Sequence, residues 1–147
     1  MSDSYKTVGA TAVYGERMTP RFDAIGLVVA DMAASLSFYR LLGVDIPADA
    51  DTRPHAEAVL PGGTRILWDT EETVRSFDPG WQPPQSGGRA GPCFGCDSPA
   101  EVDTTYAALV EAGHRGHLEP WDAFWGQRYA TLWDPDGCEV SLFADAT

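Results

Sequence analysis

Two rhythms of apolar residues alternate along this chain, and each predicts an element. Phe22 to Val29 (Phe-Asp-Ala-Ile-Gly-Leu-Val-Val) reads as a strand. Asp31 predicts a helix cap, because a short carboxylate accepts from the free N–H groups of a first turn. Met32, Leu36, Tyr39 and Leu42 then recur at helical spacing until Gly43, where the helix is expected to stop. His55 to Leu60 and Thr64 to Trp68 read as short strands around the breaker-rich turn Pro61-Gly62-Gly63. The first half is therefore β-α-β-β.

Phe77 to Gly91 follows, a Pro-, Gly- and polar-rich stretch holding Trp81 and too long for an ordinary connection, as functional loops often are. A strand ending near Cys96 comes next. Ser98-Pro99-Ala100-Glu101 is a capping box with proline at the first helical position, and it opens a helix through Val102, Tyr106, Leu109 and Val110 that ends at Gly113. Tyr129 to Trp133 and Glu139 to Phe143 are the last strands, joined by the turn Asp134-Pro135-Asp136-Gly137. Another strand around His117 is only weakly marked. The order of elements repeats, so the chain reads as two copies of one unit, module one about 20–76 and module two about 90–147 of a single domain. Residues 1–19 carry no periodic pattern and are expected to be an extension.

Composition narrows the partners. With 22 acidic residues against 10 Lys and Arg, the net charge of −12 opposes binding to a phosphate backbone or an anionic membrane. No apolar run is long enough for a membrane span, and the N-terminus has no secretory pattern. Three cysteines do not make a disulfide framework, and the expected setting is the cytoplasm. Cys93 and Cys96 have the spacing of a redox or zinc pair, but side chains three apart in a strand point to opposite faces, so packing is the expected role.

Ala24-Ile-Gly-Leu-Val-Val-Ala-Asp31, Phe38-Tyr-Arg-Leu-Leu-Gly43, Trp125-Gly-Gln-Arg128 and Asp134-Pro-Asp-Gly137, in that order and spacing, resemble the vicinal oxygen chelate superfamily of glyoxalases, extradiol dioxygenases and bleomycin-resistance proteins. The resemblance covers about Arg21 to Ala144. It implies an α+β fold of paired βαβββ modules, each giving four strands to sheets that curl around a cavity, and it implies a homodimer. Enzymes of this group hold a divalent metal with His or Glu side chains on the first and last strands of each module. Alignment to that pattern puts Ala24, Leu67, Gly91 and Ser141 at those positions, and none supplies an imidazole or carboxylate. The expectation is no metal and no cofactor.

Aromatic residues stand out instead. Trp121, Phe124 and Trp125 precede a strand, Trp81 lies in the long loop and Trp68 at a strand end; with Tyr129 and Phe38 they form the candidate surface for a flat ligand. His55, Asp122, Gln127 and Arg128 are candidate polar anchors. Trp133 and Phe143 are expected to be structural, and Phe38, Tyr39 and Tyr106 to pack helix against sheet. The leading expectation is a non-catalytic protein, similar to the antibiotic-binding resistance branch, that sequesters an aromatic natural product at a dimer interface. The alternative is a lyase, isomerase or dioxygenase with a displaced metal site built from Glu139 and one or more of His55, His114 and His117. A third expectation is that the aromatic cluster serves assembly alone.

Overall fold

The computed structural model describes residues 19–85 and 88–146, so nearly all of the expected N-terminal extension lies outside the described residues. Module one runs β1 (Ala24–Val29), α1 (Met32–Leu41), β2 (His55–Val59), β3 (Arg65–Thr70) and α2 (Glu71–Phe77). Asp31 caps α1 by accepting from the Ala34 N–H, and Gly43 takes φ +90° just past its end, a left-handed backbone that glycine reaches without Cβ strain. The sheet order is β1-β3-β2, with β1 parallel to β3 and β2 antiparallel to it.

This first sheet has three strands, where the resemblance implies four. Ala48–Thr52 forms a 3₁₀ helix instead. Pro47 and Pro54 bracket that segment and supply no N–H to a ladder, while Arg40 and Arg53 draw Asp51 and Asp49 into ion pairs that suit a compact turn. The unexpected α2 has a local cause as well: Thr70 caps it by accepting from Thr73 N–H, and Glu71 and Glu72 favour the positive end of a helix.

Module two runs β4 (Cys93–Gly95), α3 (Pro99–Glu111), β5 (Arg115–Asp122), β6 (Gln127–Trp133) and β7 (Glu139–Asp145), with sheet order β4-β7-β6-β5. Ser98 and Glu101 form the expected cap, the Ser98 side chain accepting from Glu101 N–H. β5 spans the weakly marked region. Register shifts between Gly116 and Leu118, and again between Leu118 and Trp121, break the period-two alternation that would have revealed it. Trp121 is consequently a strand residue and does not sit in a loop.

One face of each sheet is covered by helix. Ala56, Ala58, Ile66 and Trp68 of the first sheet, Ala130, Leu132, Val140 and Leu142 of the second, and Leu36, Tyr39, Val102 and Leu109 of the helices share one core. The opposite faces stay open, with His55, Glu57 and Val59 exposed on the first. The modules are joined in the core by the Tyr39 hydroxyl, which donates to Asp134 Oδ2 at 2.7 Å, and at the surface by the Ala30 N–H, which donates to Asp136 Oδ1 at 2.9 Å. Among the described residues no helix is long and apolar enough to cross a membrane.

Candidate functional site

The sequence-predicted residues fall in the core, on the two sides of one hairpin, on the open face of the first sheet and in a cleft. Trp68 aligns with Leu27 on one side and Ala56 on the other, on the helix-covered face, and is fully buried edge-on against Tyr39. Phe38 is equally buried, between Tyr39 and His114. Both belong to the core and reach no ligand, which corrects their place in the candidate set. Phe38 takes the helix-to-sheet packing role also expected of it, while Trp68 falls inside because a strand end does not show on which side its side chain lies.

Trp121, Phe124, Trp125 and Tyr129 do come together, at the β5–β6 hairpin. Trp125 sits edge-on to Trp121 at 5.6 Å, to Phe124 at 4.9 Å and to Tyr129 at 5.2 Å between ring centres. Phe124 is 90% exposed. Asp122 and Arg128 pair with each other across the same hairpin, one residue along from the Trp121–Tyr129 pair, so they point to the opposite side. There Arg128 is also held by Asp103 of α3 at 2.9 Å. These two anchors therefore do not face the aromatic group. Gln127 stays at the hairpin and accepts from Trp125 Nε1 at 2.9 Å.

His55 lies apart, on the open face of the first sheet. Its Nδ1 is 2.7 Å from Asp69 and its Nε2 2.8 Å from Glu57, and the row continues through Arg65 to Asp23. The hydrogen bonds it donates to Glu57 and then Asp69 raise its pKa, while Glu57 is lowered chiefly by the same contact.

A cleft of about 590 Å³ opens where the modules meet, and Trp81 is the predicted residue it contains. Gly26 to Val28 form one wall, the loop with Trp81, Pro83 and Pro84 a second, and Arg115, Trp133 and the Asp136–Cys138 turn a third. Trp133, expected to be structural, thus lines the cleft; only the β5–β6 register shows that it faces the open side. Guanidinium groups lie over both indoles, Arg75 at 5.3 Å from Trp81 and Arg115 at 5.9 Å from Trp133. Burial raises the Asp136 carboxyl, and it pushes the Cys138 thiol up to about 11, so that thiol stays protonated and unreactive at neutral pH.

The positions aligned with the family's metal donors face the open sides. Ala24 and Leu67 lie on one face of the first sheet by register, and Ser141 aligns with Cys93 on the second. The Ser141 hydroxyl is engaged with the Tyr129 hydroxyl at 3.0 Å. A Cβ at Gly91 would collide with the Glu139 carbonyl, so no histidine fits there. The displaced set fares no better. His117 and Glu139 are 2.8 Å apart, but His55 stands on the other sheet and His114 is packed against Phe38, where burial lowers its pKa. Among the described residues no group of three His, Cys, Asp or Glu side chains could hold a metal ion. The donors present do not fit the family's metal.

The chain belongs to the Glyoxalase/Bleomycin resistance protein/Dioxygenase superfamily, whose model matches residues 21–142. In structure it is similar to a hypothetical protein from S. aureus, with TM-score 0.73, 20% identity, and coverage of 90% of this chain and 99% of that one. It is also similar to a glyoxalase/bleomycin resistance protein/dioxygenase family enzyme from Burkholderia phytofirmans PsJN, with TM-score 0.73, 16% identity, and 86% and 99% of the two chains covered. A glyoxalase-related enzyme from Fulvimarina pelagi has TM-score 0.72 at 18% identity, with 86% and 89% covered. These likenesses establish the fold. No curated protein matches the sequence.

Proposed function

We propose that this protein binds a planar, aromatic natural product, an antibiotic, and sequesters it without a metal. The observation that carries the reading is the cleft of about 590 Å³ between the modules, with Trp81 and Trp133 in its walls and Arg115, Glu71 and Asp136 as polar anchors. Its volume suits a drug-sized molecule, and indole faces gain affinity from flat rings beyond simple area burial. Sequestration needs no nucleophile or Lewis acid, which agrees with side chains at the family's metal positions that offer neither imidazole nor carboxylate.

The active form in this reading is a homodimer. The open sheet faces and the exposed Phe124 and Trp125 leave apolar surface that a second copy would cover, so that the cleft lies at or beside the interface. The test is a titration of intrinsic tryptophan fluorescence with bleomycin and with mitomycin C, run on the wild type and on Trp81→Leu and Trp133→Leu. Saturable quenching that both substitutions weaken at least about tenfold supports the reading. Unchanged fluorescence with both drugs, together with no stabilisation of the fold by either, removes it.

A further inference from the structure

On the open face of the second sheet, four side chains from three strands form one arrangement, of which the drug cleft uses Trp133 and Arg115 but not His117 or Glu139. Glu139 of β7 and Arg115 of β5 flank Trp133 of β6 in one row across the sheet. His117 projects from the irregular stretch of β5 between Gly116 and Leu118 and lies flat on that indole, ring centres 4.6 Å apart and planes 23° apart. Its Nδ1 is 2.8 Å from Glu139 Oε2. Its Nε2 has no partner among the described residues, and the side chain is 41% exposed.

The tautomer follows from the chemistry. A carboxylate only accepts, so Nδ1 carries the proton, and in neutral imidazole the lone pair is then on Nε2. Glu139 sets the tautomer and Trp133 sets the plane of the ring. A histidine so held, half-exposed and with its other nitrogen unpartnered among the described residues, is equipped to act as a general base. Arg115 adds the second component. Arg40, Arg53, Arg65, Arg75 and Arg128 all make ion pairs, whereas Arg115 makes none among the described residues and lies 5.9 Å from the centre of the same indole. In a chain of net charge −12, an unpaired guanidinium at the edge of a cleft is a place for an anion.

We propose that His117 is a metal-independent general base, positioned by Glu139 and Trp133, for hydrolysis of aryl esters whose carboxylate is held by Arg115. This goes beyond sequestration and stands without it, since it requires no antibiotic. Water attacks the ester carbonyl carbon as His117 Nε2 removes one of its protons. The bond from that carbon to the aryl oxygen then breaks, its electron pair leaving on the oxygen, and the imidazolium returns its proton to solvent. The acid formed at the carbonyl carbon gives its remaining proton to solvent as well, so one ester and one water yield a carboxylate, a phenolate and two protons, with no oxidant or reductant involved.

The test compares 4-nitrophenyl hydrogen succinate, which is anionic, with neutral 4-nitrophenyl acetate, using the whole chain against 4-methylimidazole at equal concentration. The chain is expected to prefer the anionic ester. His117→Gln should lower its hydrolysis about 100-fold, and Arg115→Gln should erase the preference for the anionic ester, a loss of about tenfold. Nitrogen-15 NMR of the imidazoles, on the wild type and Glu139→Gln, reads the positioning directly. The Nδ1–H tautomer of His117 is expected in the wild type and a mixture in the variant. A rate no greater than that of 4-methylimidazole, a wild-type rate in His117→Gln, or a predominant Nε2–H tautomer in the wild type would overturn the proposal.

Discussion

Tyr39 and Asp134, 95 positions apart, share a buried hydrogen bond that ties one module to the other, the Tyr39 hydroxyl donating to Oδ2 at 2.7 Å. The second carboxylate oxygen of Asp134 accepts from the N–H groups of Asp136 and Cys138, so one side chain holds both the Asp-Pro-Asp-Gly turn and the helix of the other module. Burial and the neighbouring Asp134 charge drive the Tyr39 pKa upward, keeping it a neutral donor. Tyr39→Phe removes the donor and leaves a buried acceptor short of a partner, an expected loss of about 1–3 kcal/mol in urea unfolding. Asp134→Ala should cost more, because the turn loses its two bonds as well.

The stability of the first module should depend on pH through His55. Both of its ring nitrogens face carboxylates, and only the imidazolium has a proton for each. Hydrogen bonds donated to Glu57 and Asp69 raise its folded pKa above 6.5. The stabilisation is therefore complete below pH 6.5 and lost as pH rises through the folded value. The melting temperature should be higher at about pH 6 than at about pH 9, by a modest amount because the pair is solvent-screened. His55→Gln should flatten that slope. His114, with its pKa lowered by burial, acts on the acid side of the same range and would survive in the variant.

Gly91 should resist substitution. Because a Cβ there meets the Glu139 carbonyl, β4 would have to move away from β7, and Gly91→Ala is expected to cost about 1–3 kcal/mol by thermal or urea unfolding. For the same reason the double variant Ala24→His with Gly91→His should gain no metal site. Isothermal titration with zinc would show whether it does.

Gly26 offers the opposite case. A Cβ at this position meets nothing within 4 Å, and the residue lines the cleft. Gly26→Leu is expected to fold with near wild-type stability while filling the space opposite Trp133. Loss of drug-induced fluorescence change with an unaltered melting temperature would mark the cleft as the binding site; retained binding would move it to the hairpin aromatics.

Local chemistry made much of the fold readable. Asp31, Gly43, Ser98, Glu101 and Gly113 mark helix ends through bonds and backbone angles that involve only near neighbours, and the elements they bound appear where expected. The fourth strand of module one was expected from resemblance and is not formed; Pro47 and Pro54, visible in the sequence, are the reason. β5 was obscured because its bulges disrupt the alternation on which strand recognition depends.

The candidate site was less legible. The sequence by itself determined the superfamily, the repeat of the module, the lack of imidazole or carboxylate at the aligned metal positions, and the wealth of aromatic residues. Which aromatics are available was decided by the tertiary structure. Trp68 and Phe38 are turned into the core, Trp81 and Trp133 line the cleft between modules, and Asp122 and Arg128 are directed away from their neighbours Trp121 and Tyr129. The pairing of His117 with Glu139 arises only because a bulged strand carries the imidazole over Trp133 to a residue two strands away. Residue type and spacing are local properties, whereas the face a side chain takes depends on strand register and on what packs against the sheet.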